Sequence, residues 1–200
     1  MSKEIDLEKA IYQGLLEASE EKEHLTLNFK EENLRYIVMS KISDIKHFGV
    51  FPNTDVKVKP KLCFQTYYQT DCDNGKYLPD IASLELNKNG SKKKINPLVI
   101  ELKTNASIPE LRIDLNKANH YLKKVGNTKF KIAVVMTLGI PEDRNIDNYI
   151  YDLQEELNKN RRNIIQRKTG KKLLFAWYNP KINEPELFWL DQNNIHIRRE

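Results

Sequence analysis

Residues 77–103 read YLPDIASLELNKNGSKKKINPLVIELK, two apolar runs joined by a basic, turn-rich segment. LPDIASLEL and INPLVIELKT have the aliphatic and β-branched content of strands, and NKNGSKKK between them has loop composition, so the stretch predicts a hairpin. Side chains alternate along a strand, which sets Val99, Glu101 and Lys103 on one face and Leu98, Ile100 and Leu102 on the other. If Leu86 pairs with Ile95 across the turn, the antiparallel register brings Asp80 opposite Glu101. Two carboxylates and an ammonium then converge at one end of the hairpin. Paired carboxylates repel, and a hard divalent cation such as Mg²⁺ or Mn²⁺ resolves the repulsion while keeping waters for chemistry. A lysine beside such an ion orients or activates a water, or stabilises charge developing on a phosphate. Asp80, Glu101 and Lys103 therefore hold the parts of metal-assisted phosphodiester hydrolysis. On the same grounds, removing either carboxylate is expected to relieve repulsion and leave the fold intact.

Upstream, residues 4–22 place Ile5, Ala10, Ile11, Leu15 and Ala18 on one helical face. A second helix is expected from Asn28, as N-cap, to Gly49, with Leu34, Val38, Ile42 and Ile45 at helical spacing. Glu31 lies on that apolar face and has two readings, the N3 member of a cap with Asn28 or an acid of the functional site. Residues 55–68 read as an edge or bent strand broken by Pro60. Downstream, a crossover helix over 108–125 (Leu111, Leu115, Ala118, Leu122, Val125) leads into the apolar strand KFKIAVVMTL. A helix from Pro141 to about Gln166 carries Ile146, Ile150, Leu153 and Leu157, and KKLLFAWYN and ELFWL close the chain as strands. The expected fold class is α/β, a mixed central sheet flanked by helices with N-terminal helices added.

With 200 residues, 40% hydrophobic and 30% charged, and no Pro/Gly/Ser-rich linker, the chain predicts one domain over 1–200: N-terminal helices (4–49), a core (55–140) and a C-terminal helix with strands (141–200). No apolar run approaches the roughly 18 to 20 residues of a membrane helix, and MSKEIDLEKAIYQ is not a signal peptide, so a cytoplasmic protein without a membrane partner is expected. Cys63 and Cys72 form no CxxC pair, and His24, His47, His120 and His196 have no zinc-ligand spacing. The net charge of +5 comes from 33 basic against 28 acidic residues, and leans weakly toward a polyanion. The basic clusters are Lys92-Lys93-Lys94, Arg161-Arg162, Arg167-Lys168, Lys171-Lys172 and Arg198-Arg199. The stretch 71–75, DCDNG, is turn chemistry with no downstream glutamate to complete a calcium loop, and Gly170-Lys171-Lys172 is no phosphate-binding loop.

Pro79-Asp80, twenty intervening residues and then Glu101-Leu102-Lys103 resemble the PD-(D/E)xK nuclease superfamily, the restriction-endonuclease-like proteins. The similarity covers roughly residues 28–140, including the acidic helix before the motif and the helix and strand after it. It implies a restriction-endonuclease-like sheet, and a Mg²⁺- or Mn²⁺-dependent nuclease acting on nucleic acid, DNA above all. It also implies that Asp80, Glu101 and the backbone carbonyl of Leu102 bind the metal and that Lys103 assists the attacking water. Glu31 is similar to the extra acid that many members carry. Asn116, Asn119, His120 and Tyr121 resemble polar residues that members place beside the active site. With Lys92, Lys93 and Lys94, residues Asn116, His120 and Tyr121 are the expected nucleic-acid contacts. A homodimer is expected, since cutting both strands of a duplex calls for two active sites. The rival class is a non-catalytic nucleic-acid-binding or assembly module on the same fold.

Overall fold

The computed structural model describes residues 3–25, 29–43, 62–64, 68–69, 76–77, 79–83, 98–122, 131–162, 171–190 and 195–198. In chain order the elements are α1 (Lys3–Leu25), α2 (Glu31–Ser43), β1 (Leu62–Phe64), β2 (Tyr68–Gln69), β3 (Lys76–Tyr77), β4 (Ile81–Ser83) and β5 (Leu98–Thr104). They continue with α3 (Ile108–Leu122), β6 (Ile132–Leu138), α4 (Ile146–Arg162), β7 (Lys172–Asn179), β8 (Glu184–Leu190) and β9 (Ile195–Arg198). Seven strands form one sheet in the order β1-β4-β5-β6-β7-β8-β9, and β2 and β3 form a separate antiparallel pair. The sheet is mixed: β5, β6 and β7 run parallel at its centre, and antiparallel strands complete both sides. Among the described residues, no helix is long and apolar enough to cross a membrane.

The alternation of side chains along the central strands separates two cores. Leu98, Ile100, Leu102, Val134, Met136, Leu174 and Ala176 pack on one face with Leu7, Ile11 and Leu15 of α1 and Leu34, Val38 and Ile42 of α2. Val99, Val135, Phe175 and Trp177 pack on the other with Leu111, Leu115 and Ala118 of α3 and Leu153 and Leu157 of α4. All seven side chains of β6 are buried, as a parallel strand covered on both faces requires. The result is a helix–sheet–helix arrangement, and the α/β class with a mixed sheet holds.

The hairpin register is the one read from the turn. Ile81 pairs with Ile100, Ala82 with Val99 and Ser83 with Leu98, the register that puts Asp80 level with Glu101. Leu86, Ile95 and the loop between them, Lys92, Lys93 and Lys94 included, lie outside the described residues. Helix starts differ from expectation in two places, at α2 and α4, whereas α3 begins at Ile108 as expected. Helix α2 starts at Glu31, with the Lys30 N–H donating to the Asn33 side chain at 2.9 Å, so Asn33 is the N3 acceptor and Glu31 is the first helical residue. Asn28 is outside the described residues. Helix α3 opens with a capping box, in which the backbone N–H and hydroxyl of Ser107 donate to Glu110 at 2.8 and 2.6 Å. Helix α4 begins after the turn at Pro141, where the Asn145 side chain accepts from the N–H groups of Asp147 and Asn148 at 3.0 and 3.1 Å. Strand β9 was absent from the sequence reading.

Helices α1 and α2 meet closely at Gly14, where a Cβ would stand 3.3 Å from Val38 Cγ2 and 3.4 Å from Val38 Cα. A Glu17–Lys41 ion pair also joins them. Because backbone lines one side of this contact, Gly14→Leu has no room and forces α2 outward. We expect a loss of roughly 1–3 kcal/mol, read by thermal or urea unfolding; a variant as stable as the parent would contradict the close packing.

Candidate active site

The site lies at the carboxyl end of β5, where α2 approaches from one face of the sheet and α3 from the other. Asp80 precedes β4 and is 8% exposed. Its Oδ2 accepts from the Leu102 backbone N–H at 2.9 Å, prolonging the β4–β5 pairing by a side chain, and its Oδ1 accepts from the Arg35 guanidinium at 2.9 Å. Arg35 reaches Glu31, one turn earlier on α2, at 3.3 Å. Glu31 in turn accepts from the Lys103 ammonium at 3.1 Å. Glu31 is therefore the first residue of α2 and an acid of this cluster, not the N3 member of a cap.

Glu101, 2% exposed, faces α3. Its Oε1 accepts from the Tyr121 hydroxyl at 2.7 Å, and its Oε2 lies 3.4 Å from the Lys117 ammonium. Lys117 also donates to Asp114 Oδ1 at 2.8 Å. Asp114 is 1% exposed. Its second oxygen, Oδ2, is buried without a hydrogen-bond partner. Asp114, Lys117 and Tyr121 are spaced by three and four residues, which stacks them on one stripe of α3.

The sequence reading thus named Asp80, Lys103 and Glu31, which with Arg35 form one network, and Glu101, which with Tyr121, Lys117 and Asp114 forms a second beside it; the two interact through charge, and Arg35, Asp114 and Lys117 were missed. Leu102 contributes its N–H to Asp80 while its side chain is wholly buried in the α1–α2 core. Of the expected nucleic-acid contacts, Asn116 is exposed on α3 and His120 is half-buried. Tyr121 corrects that expectation: it is 3% exposed with its hydroxyl on Glu101, so it holds a carboxylate rather than offering a surface. Asn119 is likewise buried, donating to Asn160 across the α3–α4 contact at 2.7 Å. No group of three or more His, Cys, Asp or Glu among the described residues forms a ready-made metal cage.

Burial drives the electrostatics. It pushes the Glu101 carboxyl up from 4.5 to about 7; Lys117 and the Tyr121 hydrogen bond oppose the rise, and the nearby charges of Asp80 and Asp114 add to it. Lys103 is also penalised by burial, but its bond to Glu31, with Asp114 and Asp80 beyond, holds it above the ordinary lysine value. It is a lasting ammonium and not a base. Lys117 is raised in the same way: burial opposes its charge, and Asp114 and Glu101 more than offset that. Tyr121 is pushed far up, by burial first and then by Glu101, so its hydroxyl stays a donor.

No protein-family model, characterised protein or solved structure matches the chain.

Asp80 and Glu101 should respond differently to removal, because Asp80 holds the Arg35 guanidinium and the Leu102 N–H while Glu101 is a carboxylate that burial disfavours. Asp80→Ala leaves the Leu102 N–H without its acceptor and Arg35 with only the 3.3 Å contact to Glu31, and should cost about 2–4 kcal/mol of stability. Asp80→Asn keeps an acceptor for Leu102 and should cost markedly less. Equal melting temperatures for Asp80→Ala and the parent would refute this account. Glu101 is the opposite case. In metal-free protein the unfolded chain releases the proton near 4.5 and the folded chain near 7, so between these values the folded state binds more protons and loses stability as pH rises. The loss should reach up to about 3 kcal/mol by pH 8. Comparing melting temperatures from pH 5 to 8, Glu101→Gln should flatten this fall; an unchanged slope would show that Glu101 does not cause it.

Proposed function

We propose that the chain is a divalent-metal-dependent nuclease that hydrolyses phosphodiester bonds in DNA, on a restriction-endonuclease-like form of its α/β fold. The observation that carries the reading is a charge imbalance. Four carboxylates (Glu31, Asp80, Glu101, Asp114) are tied to three cations (Arg35, Lys103, Lys117), and Glu101, whose carboxyl is pushed up first by burial, also has Asp80 and Asp114 as like charges nearby. The cluster is one positive charge short, and its donors are hard oxygens.

These donors fit Mg²⁺ or Mn²⁺, which proteins hold through one or two carboxylates while waters and phosphate oxygens fill the remaining positions. The unpartnered Oδ2 of buried Asp114 fits the same need. Asp80 and Glu101, with the carbonyl of Leu102, would hold the ion. When bound, it supplies Lewis-acid stabilisation of phosphate charge and makes a water more acidic. The remaining work belongs to the chain. Lys103, kept charged by Glu31, donates hydrogen bonds that orient the attacking water or a phosphate oxygen and stabilises the charge that develops there. Arg35 fixes the Asp80 carboxylate, and the Tyr121 hydroxyl fixes that of Glu101. Asn116, His120 and the basic clusters, with Lys92, Lys93 and Lys94 among them, supply phosphate contacts, and a homodimer would present two such sites to a duplex.

The second reading, a non-catalytic nucleic-acid-binding module, draws on the fact that three side-chain cations already offset most of the acid charge. Incubating the protein with plasmid, linear and single-stranded DNA and with RNA, in Mg²⁺, Mn²⁺ or EDTA, separates the two. Cleavage that EDTA, Asp80→Asn and Glu101→Gln each abolish supports the nuclease; binding without cleavage in every condition supports the module. Lys103→Met keeps length and loses charge. It should slow single-turnover cleavage by roughly two to four powers of ten while DNA affinity changes little. Cleavage within a fewfold of the parent would remove Lys103 from the chemistry.

A further inference from the structure

The Asp114–Lys117 pair on α3 is more than an ordinary helical ion pair. An exposed pair at this spacing adds a few tenths of a kcal/mol and leaves both groups in water. Here Asp114 is 1% exposed, and only one of its two oxygens is used. The ammonium that uses it sits between two carboxylates of different elements, 2.8 Å from Asp114 Oδ1 on α3 and 3.4 Å from Glu101 Oε2 on β5. A cation bridging two buried carboxylates stands where a divalent ion bridging the same oxygens would stand. The unsatisfied Oδ2 next to it is what an ammonium leaves over and a second, harder cation takes up, because a carboxylate is an acceptor on both oxygens.

We infer that Lys117 is a resident counter-cation which a divalent ion displaces from between Glu101 and Asp114, and that Asp114 is a further oxygen donor to that ion. The inference rests on the metal-binding reading of the preceding section and extends it to two residues outside the PD and ExK positions. Lys117 has a four-carbon stem and is only partly buried at its side chain (26%), so it has a path to swing out toward solvent. In the metal-free protein it keeps the acids from standing unpaired; in the loaded protein its release leaves a free ammonium at the mouth of the site. Binding of the ion and docking of Lys117 are then mutually exclusive.

The test is Mn²⁺ binding to the full chain without nucleic acid, by calorimetry and by the loss of the free-ion electron paramagnetic resonance signal. Asp114→Asn should weaken binding on the order of ten- to a hundredfold, the range seen for groups in or beside a coordination shell. Lys117→Met should tighten it on the order of tenfold, by removing the competitor. Lys159→Met, which breaks the exposed Glu155–Lys159 pair on α4 and removes the same unit of charge, should leave it unchanged. Should Lys117→Met not fold, Lys117→Arg keeps the charge and grips carboxylates in a bidentate fork, and should weaken Mn²⁺ binding instead. Mn²⁺ binding that depends on Glu101 but ignores Asp114 and Lys117 overturns this inference and leaves the metal site of the nuclease reading standing. An equal gain from Lys117→Met and Lys159→Met overturns it in favour of general electrostatics. No Mn²⁺ binding by any variant overturns both readings together.

Discussion

Taking a carboxylate out of water costs several kcal/mol unless charges and donors follow it, and Glu101 is placed by β5 where almost no water reaches it. Much of the surrounding sequence can be understood as what this burial demands. Tyr121 gives a hydroxyl that donates to it, and Lys117 gives a charge from the same stripe of α3. Asp80 and Asp114 are the neighbours that worsen the position; Asp80 is itself held by Arg35 and the Leu102 N–H, and Asp114 by Lys117. The chain thus builds a partly compensated acid cluster where apolar side chains would have been more stable, a choice that points to use rather than to stability.

The hairpin was legible because its two signals are local and agree. Alternation assigns Leu98, Ile100 and Leu102 to one core and Val99 to the other, and a single pairing across the turn then fixes every later pair, down to Ile81 with Ile100. Residues 108–122 were legible for the same reason, since Leu111, Leu115, Ala118 and Leu122 repeat at helical spacing and are all fully buried. Arg35 and Asp114 were not legible as site residues. Each sits at a spacing any surface ion pair has, Glu31 with Arg35 and Asp114 with Lys117, and only the folded sheet brings Asp80 to Arg35 and Glu101 to Lys117. The cap of α2 was misread for a related reason. Asn28 is a good N-cap by type, but the helix starts at Glu31, and the side chain that accepts at its start is that of Asn33, from the Lys30 N–H.

Strand parity puts Lys103 on the α3 side of the sheet with Glu101, yet its ammonium ends on Glu31, which belongs to α2 on the other side. Asp80 crosses in the same sense to Arg35. Lys103 crosses near the end of β5, and Asp80 just before β4, where the pairing of that strand with β5 stops. That is why the cluster gathers at the carboxyl ends of the parallel strands, the place where open α/β sheets have backbone to spare and helix termini at hand. The first turn of α2, with Glu31 as its opening residue, comes to the same end and adds its free N–H dipoles to the cations there.

This geometry makes the N-terminal helices part of the site. Arg35 and Glu31 stand on α2, and α2 is held by α1 through the Gly14–Val38 contact and the Glu17–Lys41 pair. Helix α1 is in turn fixed to the sheet by the Trp189 indole on Glu8, and by Lys22, whose ammonium donates to Asn105 at 2.6 Å just beyond β5. Asn105 is in the left-handed region (φ 52°) and Gly139 beside it at φ 80°, where a Cβ would meet the Asn105 and Lys22 side chains at 2.6 and 2.8 Å. The rim of the sheet next to Lys103 is therefore closed by a residue from α1, and a displacement of either N-terminal helix reaches Lys103 through Glu31. A core limited to the motif strands and α3 would keep Asp80, Glu101 and Lys103 but lose the guanidinium that orients the first and the carboxylate that keeps the last charged. The dependence of Lys103 on α2, more than the motif's spacing, is what ties the first forty residues to whatever chemistry the cluster performs.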